Sequence, residues 1–174
     1  MLNQIVGARA VVISDAWRNF NFFDREYLGT MVDEDACQLG HFINRIIKSE
    51  RLRGATIWHA GHMGTDSIMT SIDHRQSDVV VDAITDDPSI LSFNQIRFVG
   101  FHYKRCIDRY IIALRNLIRE EKHSPEPDIG IWINGCLPFP GDSFRKSNNL
   151  SGTPLYLWNH EIETRIEIAQ EIAQ

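Results

Sequence analysis

The sequence predicts an α/β fold. Helices cover both faces of a mainly parallel, five- or six-stranded sheet, giving three α/β/α layers. Three observations predict it. Short, nearly continuous β-branched runs recur along the chain, as strands buried on both faces require. Two longer segments space their apolar residues by three and four, the period of a helix with one buried face. The two kinds of segment alternate, which favours parallel strands joined by right-handed crossovers.

The elements follow in order. Residues 8–14 (Ala-Arg-Ala-Val-Val-Ile-Ser) read as the first strand. A helix is predicted over 33–48, with Ala36, Leu39, Phe42, Ile43, Ile46 and Ile47 on one face and Gly54 soon after its end. Residues 55–59 form a second strand, 78–82 a third, 88–94 a short helical turn and 96–100 a fourth strand. A second amphipathic helix spans 106–121 through Ile107, Tyr110, Ile111, Leu114, Leu117 and Ile118. Residues 129–133 form a fifth strand. Residues 138–154, rich in Pro, Gly, Ser and Asn, read as a loop, and a last helix is predicted from Asn159 or His160 to the C-terminus.

The chain has 174 residues, within the roughly 100–200 of one domain, so a single domain over 1–174 is expected. Apolar residues make up 43%, charged 24% and aromatic 10%, a globular profile that excludes collagen and a disulfide-dense mini-protein. Eighteen Lys and Arg against 23 Asp and Glu leave a net charge of −5. No basic stripe offers a nucleic-acid footprint. No apolar run approaches the roughly 20 residues of a membrane helix, and residues 1–7 lack the pattern of a signal peptide. The three cysteines, Cys37, Cys106 and Cys136, include no CxxC pair, which fits reduced thiols in a cytoplasmic protein. A small-molecule partner is expected, with neither nucleic acid nor membrane.

In parallel sheets ligands sit beyond the carboxyl ends of the strands, near the point where strand order reverses. The residues there are Asp15, His59, Asp82, the segment 101–106 and Asn134. Cys106 opens a helix, where unpaired N–H groups and the positive dipole end favour a thiolate. The same N–H groups suit a developing oxyanion. Asp15, ending a neighbouring strand, is a candidate general base or acid. Trp17, Phe20, Phe22, Phe23, Trp58, Phe101 and Tyr103 supply aromatic surface for a pocket. His59-Ala-Gly-His62, followed by Asp66, Asp73 and His74, is a weak metal spacing. The expected role of that segment is a polar pocket loop, with no metal and no cofactor.

Two segments carry a resemblance. Asp15-Ala-Trp-Arg-Asn-Phe20 follows the first strand, and Ile96-Arg-Phe-Val-Gly100 leads through five residues to Cys106-Ile107. Their order and spacing resemble the isochorismatase-like cysteine hydrolases, which include the nicotinamidases. The family pattern is Asp-x-Gln-x-x-Phe, and Trp17 stands where the Gln would be. The resemblance covers roughly residues 8–60 and 96–135. It implies a Rossmann-like, isochorismatase-like fold, a dimer or tetramer, and hydrolysis of a small amide or related carbonyl compound. It implies Cys106 as nucleophile and Asp15 as proton carrier. The backbone N–H groups of His102 and Cys106 would form an oxyanion hole, shaped by a cis peptide between Phe101 and His102. Trp17, Phe20, His59, Asp82, Phe101 and Tyr103 would meet the substrate.

The sequence departs from that family at its triad lysine. No lysine lies between residues 49 and 103, and the third strand ends at Asp82. A carboxylate raises a thiol pKa where an ammonium lowers it. Arg75, Lys104 and Arg105 are candidate sources of the missing charge. The segment 82–100 is short for the family's helix and loop, and no strand is expected after the last helix. Two readings stand. One is a cysteine hydrolase with an incomplete triad. The other is a catalytically impaired isochorismatase-fold protein acting as a binding or assembly module.

Overall fold

The computed structural model describes residues 8–16, 33–62, 64–68, 72–103, 106–138, 156–159, 164–167 and 169. Seven strands form one sheet in the order β3-β2-β1-β4-β5-β7-β6. They are β1 (Arg9–Ser14), β2 (Thr56–Ala60), β3 (Val79–Val81), β4 (Gln95–Tyr103), β5 (Asp128–Pro138), β6 (Tyr156–Asn159) and β7 (Thr164–Glu167). The first six in spatial order run parallel, and β6 closes the edge antiparallel to β7. The mainly parallel α/β sheet is therefore as expected, with an antiparallel edge strand added.

Among the described residues, two helices cover opposite faces, α1 (Asp33–Leu52) and α2 (Cys106–Glu120). Alternate residues of β1 show why the strand is apolar throughout. Val11 and Ile13 pack with Ile43, Ile46 and Ile47 of α1, whereas Ala10 and Val12 pack with Ile107, Ile111, Leu114 and Ile118 of α2. A strand between two helical layers buries both sides of its pleat, and each fully buried Ile or Leu contributes roughly 1.5–3 kcal/mol. α1 runs one turn beyond the predicted end and stops at Gly54, whose φ of 79° only glycine adopts freely. Between β3 and β4 there is only a short 3₁₀ turn, Pro88–Ser92, capped by Asp87 accepting from the Ser89 N–H. Its Ile90 and Leu91 fill the α2-side core in place of a crossover helix.

The end of the chain corrects the expectation of a last helix without a following strand. Residues 156–159 and 164–167 are strands, and β7 pairs parallel with β5. Thr164-Arg-Ile-Glu167 suits strand alternation as well as helical spacing, so local pattern does not decide. Tertiary contacts do. β7 covers the exposed edge of β5 and brings Glu167 to Arg97, which is 2% exposed. Arg97 Nε donates to Glu167 Oε2 at 2.9 Å, and its other nitrogens reach Asp128 Oδ2 at 2.8 Å and the Asp128 carbonyl at 2.7 Å. A buried guanidinium requires such partners.

β4 and β5 also run longer than predicted. Phe101 and Tyr103, expected in a turn, continue β4 in register with Leu137 and Pro138. Asn134, expected beyond a strand end, lies inside β5 and bonds both backbone groups of Ala169. The predicted loop is outside the described residues except Pro138, which ends β5.

Candidate functional site

Chain order reverses at β1, since β2 and β3 extend the sheet to one side and β4 returns to the other. A cavity of about 290 Å³ lies there, lined by Asp15, Gly61, Asp82, Ala83, Cys106, Arg109 and Tyr110. Asp15 follows β1, Gly61 follows β2, Asp82 follows β3, and the other three polar groups come from the first turns of α2. This is the switch-point location that parallel sheets provide for ligands.

Each wall has a local cause. Asp15 has a φ of 49°, a left-handed conformation that Asp tolerates better than most residues. Its N–H donates to the Ala60 carbonyl at 2.9 Å, tying the end of β1 to the end of β2. The Ser14 hydroxyl donates to Asp15 Oδ2 at 2.9 Å, and the Tyr110 hydroxyl lies 3.4 Å from Oδ1. Gly61, with φ 88°, packs against this carboxylate, and a side chain there would meet the Tyr110 oxygen at 2.7 Å. The Gly61 and His62 N–H groups donate to the Asp82 and Val81 carbonyls, fixing the end of β3.

Cys106 is half-buried at the start of α2. Arg109 and Tyr110 follow at i+3 and i+4, so the three share one face. Asp108 in that first turn complements the helix dipole, whereas Arg109 opposes it. A cation in that place does not help the helix, and it lines the cavity. Burial raises the Tyr110 pKa far above its ordinary value, with the charges of Asp15 and Cys106 acting in the same direction. The phenol therefore remains a proton donor.

The structure thus brings together Asp15, Cys106 and Asp82. His59 lies elsewhere. It alternates in β2 with Trp58 and Ala60, which face α2, so its side chain goes to the α1 side. It is fully buried there, with Nε2 3.3 Å from Asp78 Oδ2 and its ring near those of His62 and His74. Burial lowers its pKa against the opposing effect of Asp78. Arg51 from α1 bonds both Asp78 and Asp73, at 2.5 and 2.6 Å. Among the described residues no group of three or more His, Cys, Asp or Glu side chains is arranged to hold a metal ion.

Phe101, His102 and Tyr103 belong to β4, while Trp17, Phe20, Lys104 and Arg105 lie outside the described residues. The cis peptide found among the described residues is Ser124–Pro125. Arg75 is exposed and does not line the cavity; its N–H donates to Asp78. Arg109 and Tyr110 are the polar lining residues that sequence reasoning missed as site residues. Their helical offset from Cys106 is the signal that points to them.

No family model and no curated protein matches the chain. Solved structures do. An isochorismatase family protein from Desulfovibrio vulgaris subsp. vulgaris str. Hildenborough has a TM-score of 0.55 and 13% identity, covering 83% of this chain and 88% of its own. A protein from Oleispira antarctica, assigned as an isochorismatase hydrolase, has a TM-score of 0.51 and 16% identity over 76% of each chain. A hypothetical protein from Trypanosoma cruzi has a TM-score of 0.52 and 13% identity, covering 78% of this chain and 68% of its own. At these identities the likeness concerns architecture. The chain has an isochorismatase-like fold.

Proposed function

We propose that the protein is a cysteine hydrolase acting on a small amide or related carbonyl compound, with Arg109 supplying the cation that the absent lysine does not. The observation that carries this reading is the lining of one cavity by Asp15, Cys106 and Arg109. Its volume of about 290 Å³ is near the lower end of small-molecule sites, which suits a small substrate.

In this mechanism Asp15 takes the thiol proton and the Cys106 sulfur attacks the carbonyl carbon. The C–S bond forms and the carbonyl electron pair moves to oxygen. N–H groups at the start of α2 face that oxyanion. Collapse expels the amine, which receives the proton from Asp15, and leaves a thioester. Water then adds to the thioester, gives its proton to Asp15 and displaces the sulfur, which recovers that proton. Residues i and i+3 on a helix lie about 5–6 Å apart at Cβ. The guanidinium, lining the same cavity, favours the thiolate over the thiol.

A second reading, a binding module without turnover, is favoured by Asp82 in the same cavity, since a second carboxylate opposes thiolate formation. Alkylation of Cys106 by iodoacetamide across pH, followed by peptide mass spectrometry, separates the two. Cys136 is the internal control, because burial holds its thiol well above the usual range. The hydrolase reading expects Cys106 to react with an onset below the ~8.5 of a free thiol. Arg109→Gln should slow that reaction about three- to tenfold at pH 7. An onset at or above the free-thiol value, or indifference to Arg109→Gln, favours the binding module. Turnover of small amides should cease in Cys106→Ala.

A further inference from the structure

We propose that Tyr110 is a positioning residue of this site: its hydroxyl holds the Asp15 carboxylate and draws that charge away from the Cys106 sulfur. This rests on the cysteine-hydrolase reading and adds to it a residue that the reading does not use. The geometry is specific. The two carboxylate oxygens of Asp15 meet two hydroxyls from different elements, Ser14 Oγ at 2.9 Å and Tyr110 OH at 3.4 Å. The Ser14 contact is local to its own strand end, whereas the Tyr110 contact reaches across from α2. Gly61 presses on the same pair, and a methyl group there would meet the Tyr110 oxygen at 2.7 Å.

Tyr110 also lies four residues after Cys106, on the same helical face. One residue thus adjoins both reacting groups. A hydroxyl donating to a carboxylate stabilises the charged form and leaves less of its field on neighbouring groups. Without it, Asp15 acts more strongly on Cys106 and disfavours the thiolate. At 3.4 Å the bond is long, as catalytic hydrogen bonds often are before substrate binds. Its effect in the resting protein should accordingly be modest.

The test is a double-mutant cycle on the full chain, with Tyr110→Phe, Asp15→Asn and the double variant. Asn suits position 15 because it tolerates the left-handed backbone found there. The readout is the iodoacetamide rate at Cys106 from pH 5.5 to 9.5, with thermal melting to verify folding. Tyr110→Phe should move the onset upward and slow the reaction about three- to fivefold at pH 7. In the Asp15→Asn background the same substitution should change the rate less than about twofold, because Tyr110 acts through Asp15. An equal effect in both backgrounds would show that Tyr110 acts through packing and overturn the proposal, as would no effect in either. Asp15→Gly, which adopts that backbone freely, replaces Asp15→Asn if the latter does not fold. Failure of the hydrolase reading appears separately, as an unactivated Cys106 in the unsubstituted protein.

Discussion

Gly100 is the glycine of the segment that leads to Cys106, and the structure gives a physical reason for it. Its φ is 111°, a conformation that residues with a Cβ rarely adopt. Gly100 lies in register with Ser14, where β4 runs beside β1. A Cβ at this position would meet the Ser14 backbone, with the nitrogen at 2.9 Å and the carbonyl carbon at 3.2 Å. Backbone inside a sheet cannot swing aside like a side-chain tip, so the strands would have to separate. Gly100→Ala therefore combines left-handed strain of about 1–2 kcal/mol with overpacking of about 1–3 kcal/mol. The expected loss is about 3–4 kcal/mol. Gly54→Ala is the matched control: its φ is 79°, and nothing lies within 4 Å of the new methyl group. It should cost about 1 kcal/mol, the conformational part alone. Urea unfolding measures both. With a slope near 2 kcal/mol/M, Gly100→Ala should lower the midpoint by about 1.5–2 M and Gly54→Ala by about 0.5 M. Equal losses would refute the close-approach argument.

Two further predictions concern the remainder of the fold. Burial, helped by the neighbouring His59, lowers the His62 pKa to about 4. The unfolded chain takes up a proton near pH 6.5 and the folded chain does not until about pH 4. Stability is thus retained above pH 6.5 and falls by about 3 kcal/mol as the pH drops to 4. Stability measured across pH 4–7 should lose most of this slope in His62→Gln, and an unchanged slope would contradict the assignment. Arg97→Met should lower stability by about 2–3 kcal/mol, because Asp128 and Glu167 lose their buried cation while staying partly solvated. A change under about 0.5 kcal/mol on urea unfolding would mean that strand pairing alone holds β7.

Much of the sheet was legible because parallel strands covered on both faces must be apolar throughout, as in Ala10-Val-Val-Ile13 and Ile57-Trp58. The helix faces were legible for a related reason: Ile43, Ile46 and Ile47, and Ile107, Ile111, Leu114 and Ile118, repeat at the helical period. The C-terminal strands were not, because Thr164–Glu167 satisfies both periods and the choice depends on Arg97, some seventy residues earlier. His59 was misjudged as a pocket residue because a strand end tells where a residue lies along the sheet but not which face it takes. That depends on the pleat phase, and Trp58 occupies the face toward α2.

The sequence by itself determined the layered α/β architecture and the candidate pair Asp15 and Cys106, since periodicity and position after a strand are local properties. It also determined that no lysine stands between residues 49 and 103. Only the tertiary structure decided which groups share a cavity. Asp15, Gly61, Asp82 and Arg109 meet because β3, β2, β1 and α2 converge at the switch point. Those residues span some ninety-five positions in the chain, and electrostatic partnership depends on distance in space, which no local pattern records.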